Sequence, residues 1–141
     1  MKAQKTVLVC ITPQESSQTL VEAGRVLAEK NQAALEVISV LPICANFSKN
    51  EPATLEKLFS FAQNAGGQMA VYFSDDPVLT VAAHISKEHP TLIVTGFPGE
   101  NSNAFVSALH LLVPDVPVSM VSQDGNIYNR LPLQKDAVFT K

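Results

Sequence analysis

Charge is sparse in this chain, cysteine is nearly absent, and no hydrophobic run is long. Of its 141 residues only 16% are charged, and the ten Lys and Arg residues are scattered against 13 Asp and Glu, for a net charge of −3. That balance argues against nucleic acid as the main partner, which a basic patch would have to hold. Two cysteines cannot build a disulfide framework. Cys10 lies inside an apolar run and reads as a buried, inert thiol. The longest apolar runs are about six residues, far below the ~20 that a membrane-spanning helix needs. Met1 to Lys5 lead straight into a strand-like segment with no cleavage signal, so a cytoplasmic protein without membrane attachment is expected. Enzymatic signatures are missing too. There is no G-x-S-x-G elbow, and His84, His89 and His110 lack the i, i+4 spacing of a zinc helix. They read as surface or packing histidines. Asp75-Asp76, directly before Pro77, reads as a helix cap rather than a pair of catalytic carboxylates. No enzyme, metal or certain cofactor is expected.

What is present is apolar, at 46%, and ordered by period. Five short runs are apolar almost throughout: TVLVCIT (6–12), ALEVISVL (34–41), QMAVYF (68–73), TLIVTG (91–96) and PVSMVS (117–122). Such runs fit strands covered on both faces, as in a parallel sheet. Between them stand helical patterns. The first has a stripe of Leu20, Ala23, Gly24, Leu27 and Ala28 with Ser16 or Ser17 as cap. The second pairs Ser48 with Glu51 at capping-box spacing, faces inward with Leu55, Leu58, Phe59 and Ala62, and ends at Gly66-Gly67. The third runs from the Asp76 cap to Pro90. The fourth, from about Asn103 to Leu112, is apolar nearly all round and is expected to be well buried.

Strict alternation of strand and helix predicts an α/β fold: a Rossmann-like, doubly wound, five-stranded parallel sheet of order 3-2-1-4-5 with helices on both faces. Ligands of such sheets bind beyond the carboxyl ends of the strands where the order reverses. That crevice would lie between the first and fourth strands, lined by Thr12 to Ser17 and by Gly96 to Asn103.

With these elements placed, VLVCITPQESSQTLVEAGRVLAEKNQAALEVISVLP resembles the first half of a universal stress protein (UspA-like) domain, most like the version within the potassium-sensor histidine kinase KdpD. SDDPVLTVAAHISKEHPTLIVTGFPG resembles the second half. The resemblance spans roughly residues 5 to 122 of the full chain and implies one domain over 1–122 with a C-terminal extension over 123–141. It implies a stress-response or signalling role and a crevice for ATP or another nucleotide. Many members hold ATP through Gly, two residues, Gly, nine residues, then Gly with Ser or Thr. Gly96 and Gly99 match the first pair, but Leu109-His110 stand where Gly-Ser or Gly-Thr belongs. A leucine offers neither close backbone approach nor a hydroxyl to a phosphate. Thr12 replaces the acidic residue that ends the first strand in ATP binders, while Val40 matches the adenine-slot valine. Leu35 to Ser39 lack the aromatic-Thr-Ala-x-Tyr stretch of cyclic-dinucleotide binders.

No Lys or Arg occurs between Lys87 and Arg130, so a triphosphate at the Gly96–Gly99 loop would rely on backbone N–H groups and on Asn101, Ser102 and Asn103. ATP binding is therefore disfavoured. The candidate crevice comprises Thr12, Ser16, Ser17, Val40, Gly96, Gly99, Asn101 and Ser102. Two readings remain: a sensor of a nucleotide or other small molecule, and an interaction module that has lost its ligand. A homodimer through the last strand (117–122) is expected as well, because members commonly dimerise there and an apolar edge strand is a liability if bare. Beyond it, Asp124-Gly125 signals a turn, after which Ile127, Tyr128 and the apolar residues to Phe139 would fold back over that edge or reach a second subunit.

Overall fold

The computed structural model describes residues 5–12, 17–43, 51–96, 104–122 and 126–130. In chain order they form β1 (Thr6–Ile11), α1 (Ser17–Lys30), β2 (Ala34–Leu41), α2 (Glu51–Asn64), β3 (Gln68–Phe73), α3 (Pro77–Glu88), β4 (Leu92–Gly96), α4 (Ala104–Leu112), β5 (Val118–Val121) and β6 (Ile127–Arg130). The sheet order is β3-β2-β1-β4-β5-β6. The first five strands are parallel and stand in the expected order.

Local chemistry explains where these elements start and stop. Asp76 caps α3, its Oδ1 accepting from the Leu79 N–H at 3.1 Å, and Pro77 takes the first helical position, where no N–H is needed. The helix ends when His89 turns left-handed (φ 54°) and its N–H reaches the Ile85 carbonyl at 2.8 Å. Gly66, at φ +85°, ends α2 in the conformation that glycine alone adopts cheaply.

Alternation along each strand divides the core between the two faces. Val7, Val9, Val37, Val21 and Leu58 pack on the α1/α2 face. Leu8, Ile38, Ile85, Ile93, Leu109 and Val118 pack on the α3/α4 face. Every core strand residue named here is almost wholly buried, so β1, β2, β4 and β5 are dry on both sides at these positions.

Four expectations change. In α1, Val21 is fully buried, while Leu20, Ala23 and Leu27 are only partly so. Phe59 of α2 is 42% exposed rather than facing the core. In α4, Leu111 and Leu112 are exposed, because a helix lying on one sheet face cannot bury its whole circumference. The fourth change concerns β5, whose outer edge is not bare. β6 pairs with it antiparallel, Val118 opposite Arg130 through Val121 opposite Ile127. The Ser122 N–H donates to the Asn126 carbonyl at 2.9 Å, and the Asn126 N–H donates to Ser122 Oγ at 3.1 Å, closing the hairpin. A homodimer built on an unpaired 117–122 edge loses its premise, since the ladder groups it needs are used within the chain. The sheet extends into the segment assigned to the C-terminal extension; Asp124, Gly125 and residues 131–141 lie outside the described residues.

Candidate functional site

The order of the sheet reverses at β1, which pairs with β2 on one side and β4 on the other. Val7, Leu8 and Val9 stand opposite Leu92, Ile93 and Val94, and the Thr91 N–H binds the Thr6 carbonyl at 2.8 Å, locking the two strands at their beginnings. At their ends the chain departs to α1 from β1 and toward α4 from β4. A crevice at that divergence follows from the topology.

Of the eight sequence-predicted residues, Thr12, Ser17, Val40 and Gly96 are described. Ser16, Gly99, Asn101 and Ser102 lie outside the described residues. Thr12 is exposed just beyond β1. Ser17 is buried, and its Oγ donates to the Thr12 carbonyl at 2.7 Å. Its hydroxyl proton thus fastens the β1–α1 connection and is not available to an anion. Val40 sits near the end of β2 beside Tyr72 and packs on the α3/α4 face.

Gly96 is informative by contrast with two other glycines. A Cβ on Gly24 would come within 2.3 Å of Val9 Cγ2, and one on Gly67 within 2.9 Å of Leu35. Packing demands both. A Cβ on Gly96 would meet Leu20 Cδ1 at 3.5 Å, an ordinary contact, and its φ is not positive. Neither packing nor backbone strain among the described residues requires glycine there.

Leu109 has another role than expected. It is fully buried with Leu8, Ile93 and Val118. It lies five residues into α4 from Ala104, about 7.5 Å along the axis at 1.5 Å per residue. The residue therefore belongs to the core under the helix. His110 beside it is buried as well.

Sequence reasoning missed two features. A cleft of about 130 Å³ lies between α1 and α2, lined by Gln18, Thr54, Lys57 and Leu58. It is too small for a nucleotide, whose sites run from about 300 Å³, but it brings a lysine toward the first turn of α1. Attention to the span from 87 to 130 could not find that cation, because it comes from α2. The second feature is a polar trio around the buried His84. His84 Nδ1 is 2.9 Å from the Tyr72 hydroxyl and its Nε2 is 3.1 Å from Glu36 Oε1, the latter close but poorly aligned for a hydrogen bond. With the proton on Nε2, Tyr72 donates to Nδ1 and the N–H faces the carboxylate. The residues come from α3, β3 and β2 and have no shared spacing, so only the fold unites them.

Cys10 is only partly buried, on the α3/α4 face, rather than wholly enclosed as its apolar run suggested. Burial pushes its thiol up to about 12, so it stays protonated and unreactive at neutral pH. Among the described residues no three His, Cys, Asp or Glu side chains cluster as metal ligands, and no helix is long and apolar enough to cross a membrane.

The sequence matches no family model and no curated protein. Solved structures do match. A universal stress protein in complex with cAMP superposes at a TM-score of 0.59 with 20% identity, over 86% of this chain and 99% of that one. The fold is that of the universal stress proteins. The Archaeoglobus fulgidus universal stress protein in complex with dAMP gives 0.59 at 13% identity, over 83% and 97%. A deacetylase of teicoplanin biosynthesis, solved with teicoplanin, gives 0.57 at 15% identity, over 82% and 69%. One architecture thus carries both nucleotide complexes and an enzyme, and the fold alone does not decide between binding and catalysis.

Proposed function

We propose that this chain is a non-catalytic, stress-protein-like sensor domain whose crevice between the ends of β1 and β4 takes a small ligand of low charge, a nucleotide with a single phosphate fitting best. The observation that carries the reading is Gly96, a glycine at the crevice for which the described residues supply no packing or conformational need. Universal stress proteins of the same fold hold cAMP and dAMP, each with one phosphate. The dearth of basic residues from 88 to 129 weighs against a triphosphate, because each added negative charge would need compensation that backbone N–H groups supply weakly. Thr12 in place of a carboxylate removes a charge-assisted hydrogen bond to ribose, worth ~1.5 to 3 kcal/mol. Kinship with KdpD-type domains rests on the first half of the sequence alone, and a cytoplasmic site of action fits a chain of this composition. The absence of an assembled nucleophile and base among the described residues supports a binding role.

Calorimetry and thermal shift with AMP, cAMP and Mg-ATP test this. Expected is binding of a monophosphate at least tenfold tighter than Mg-ATP, with about 2.7 kcal/mol of stabilisation at a hundredfold the dissociation constant. Gly96→Ala should weaken it tenfold or more without moving the melting temperature. No response to any nucleotide would instead favour the ligand-free interaction module.

A further inference from the structure

β3 is one edge of the sheet, and among the described residues nothing pairs with its outer side. Its six residues, QMAVYF, include no charge and no proline. Natural edge strands are usually blunted by such residues. On the α1/α2 face the outer strand is poorly covered: Val71 is 39% and Phe73 57% exposed, and Phe59 on α2 is 42% exposed. Between α2 and β3 lies a groove of about 650 Å³ with Leu55, Phe59, Met69 and Val71 in its walls. An extended strand with apolar side chains at alternate positions suits both the free ladder and the groove.

We infer that the occupant is a second copy of this chain, joined edge to edge through β3 about a two-fold axis normal to the sheet at Val71. Such an axis keeps each face on its own side, so opposed residues share parity. Val71 then meets Val71, and Met69 meets the partner copy's Phe73 twice over, all on the groove face. Ala70 meets Tyr72 on the other face, a small residue against a large one. Each Phe73 enters the groove beside Met69 of the other copy. No charged residue falls within the pairing. Pairing about a two-fold consumes both free edges and closes the assembly, whereas an open-ended contact would build a fibre. The opposite edge differs: β6 ends in Arg130, a charge of the kind that blunts an edge.

The test is the solution mass of the full chain by sedimentation equilibrium at about 50 μM, where an obligate partner copy would dominate by mass action. Twice the 15.2 kDa chain mass is expected. Val71→Lys and Val71→Glu each place like charges face to face and should weaken association tenfold or more, with unchanged circular dichroism. Mixing the two should restore a dimer of one copy of each, a rescue that a misfolded variant would not give. Phe73→Lys with Phe73→Glu provides a second pair at the more exposed position. The inference is overturned by a monomer at that concentration, by a dimer that withstands both Val71 variants, by failure of both mixtures to reassociate, or by a dimer that breaks on Ile127→Lys in β6 instead.

Discussion

The two faces of the sheet are closed by different means. On the α1/α2 side, α1 approaches β1 so closely that the Cβ missing from Gly24 would collide with Val9, and the contacts there are aliphatic. A few buried hydroxyls interrupt them, Thr54, Ser119 and Ser39 among them, and that of Ser39, 1% exposed, has no partner among the described residues. On the α3/α4 side, aliphatic packing is joined by His84 held between Tyr72 and Glu36. One face is specified by volume and the other partly by hydrogen-bond direction. Volume tolerates no additions; direction tolerates no deletion of a single member.

Substitutions break that comparison in order of size. Leu109→Ala should cost the most, about 3 to 4 kcal/mol in urea unfolding, because a wholly buried leucine leaves a cavity. Leu109→Gly, which would restore the glycine of the nucleotide-binding pattern, should therefore destabilise the domain before it rebuilds any phosphate cradle. Gly24→Ala follows at about 2 kcal/mol: overpacking against Val9 outweighs the ~1 kcal/mol that alanine gains in a helix. His84→Leu should cost about 1 to 2 kcal/mol by stranding Glu36 and the Tyr72 hydroxyl, and adding Glu36→Leu should recover part of that loss. A double-mutant cycle measures this, and simple additivity of the two changes would refute the coupling. On the opposite face Ser39→Ala should act with reversed sign, stabilising by about 1 kcal/mol, because it removes a buried hydroxyl that has no partner among the described residues. Gly96→Ala should be smallest, within about 0.5 kcal/mol, which separates its expected effect on ligand from any effect on folding.

How far this was legible in the sequence follows from which signals are local. The five parallel strands each form a continuous apolar run, and Asp76-Pro77 is a cap read directly from adjacent residues, so order and boundaries could be anticipated. For β6, the turn signal at Asp124-Gly125 and the apolar residues from Ile127 onward pointed to a segment folding back over the edge of β5 or reaching a second subunit, but not to a strand, because four residues, IYNR, show no sustained alternation. The exposure of Phe59, Leu111 and Leu112 was invisible to composition, since it depends on how much of each helix the sheet can cover. At the site, Thr12 and Gly96 came from placing strand ends. The bond from Ser17 to the Thr12 carbonyl and the core position of Leu109 required the third dimension. So did Lys57, whose approach to α1 is a matter of helix packing.

The reversal of strand order at β1 also sets a timetable. β1, β2 and β3 with their helices are contiguous in the first 73 residues, but the other side of β1 awaits β4, whose first residue is Leu92. On a ribosome adding about 5 to 20 residues per second, the future centre of the sheet spends about a second or more as an unpaired edge. That edge reads TVLVCI, without a charge. The strand most protected in the finished protein is thus the one most exposed while the chain is being made, and it is there that a chaperone would have the most to shield.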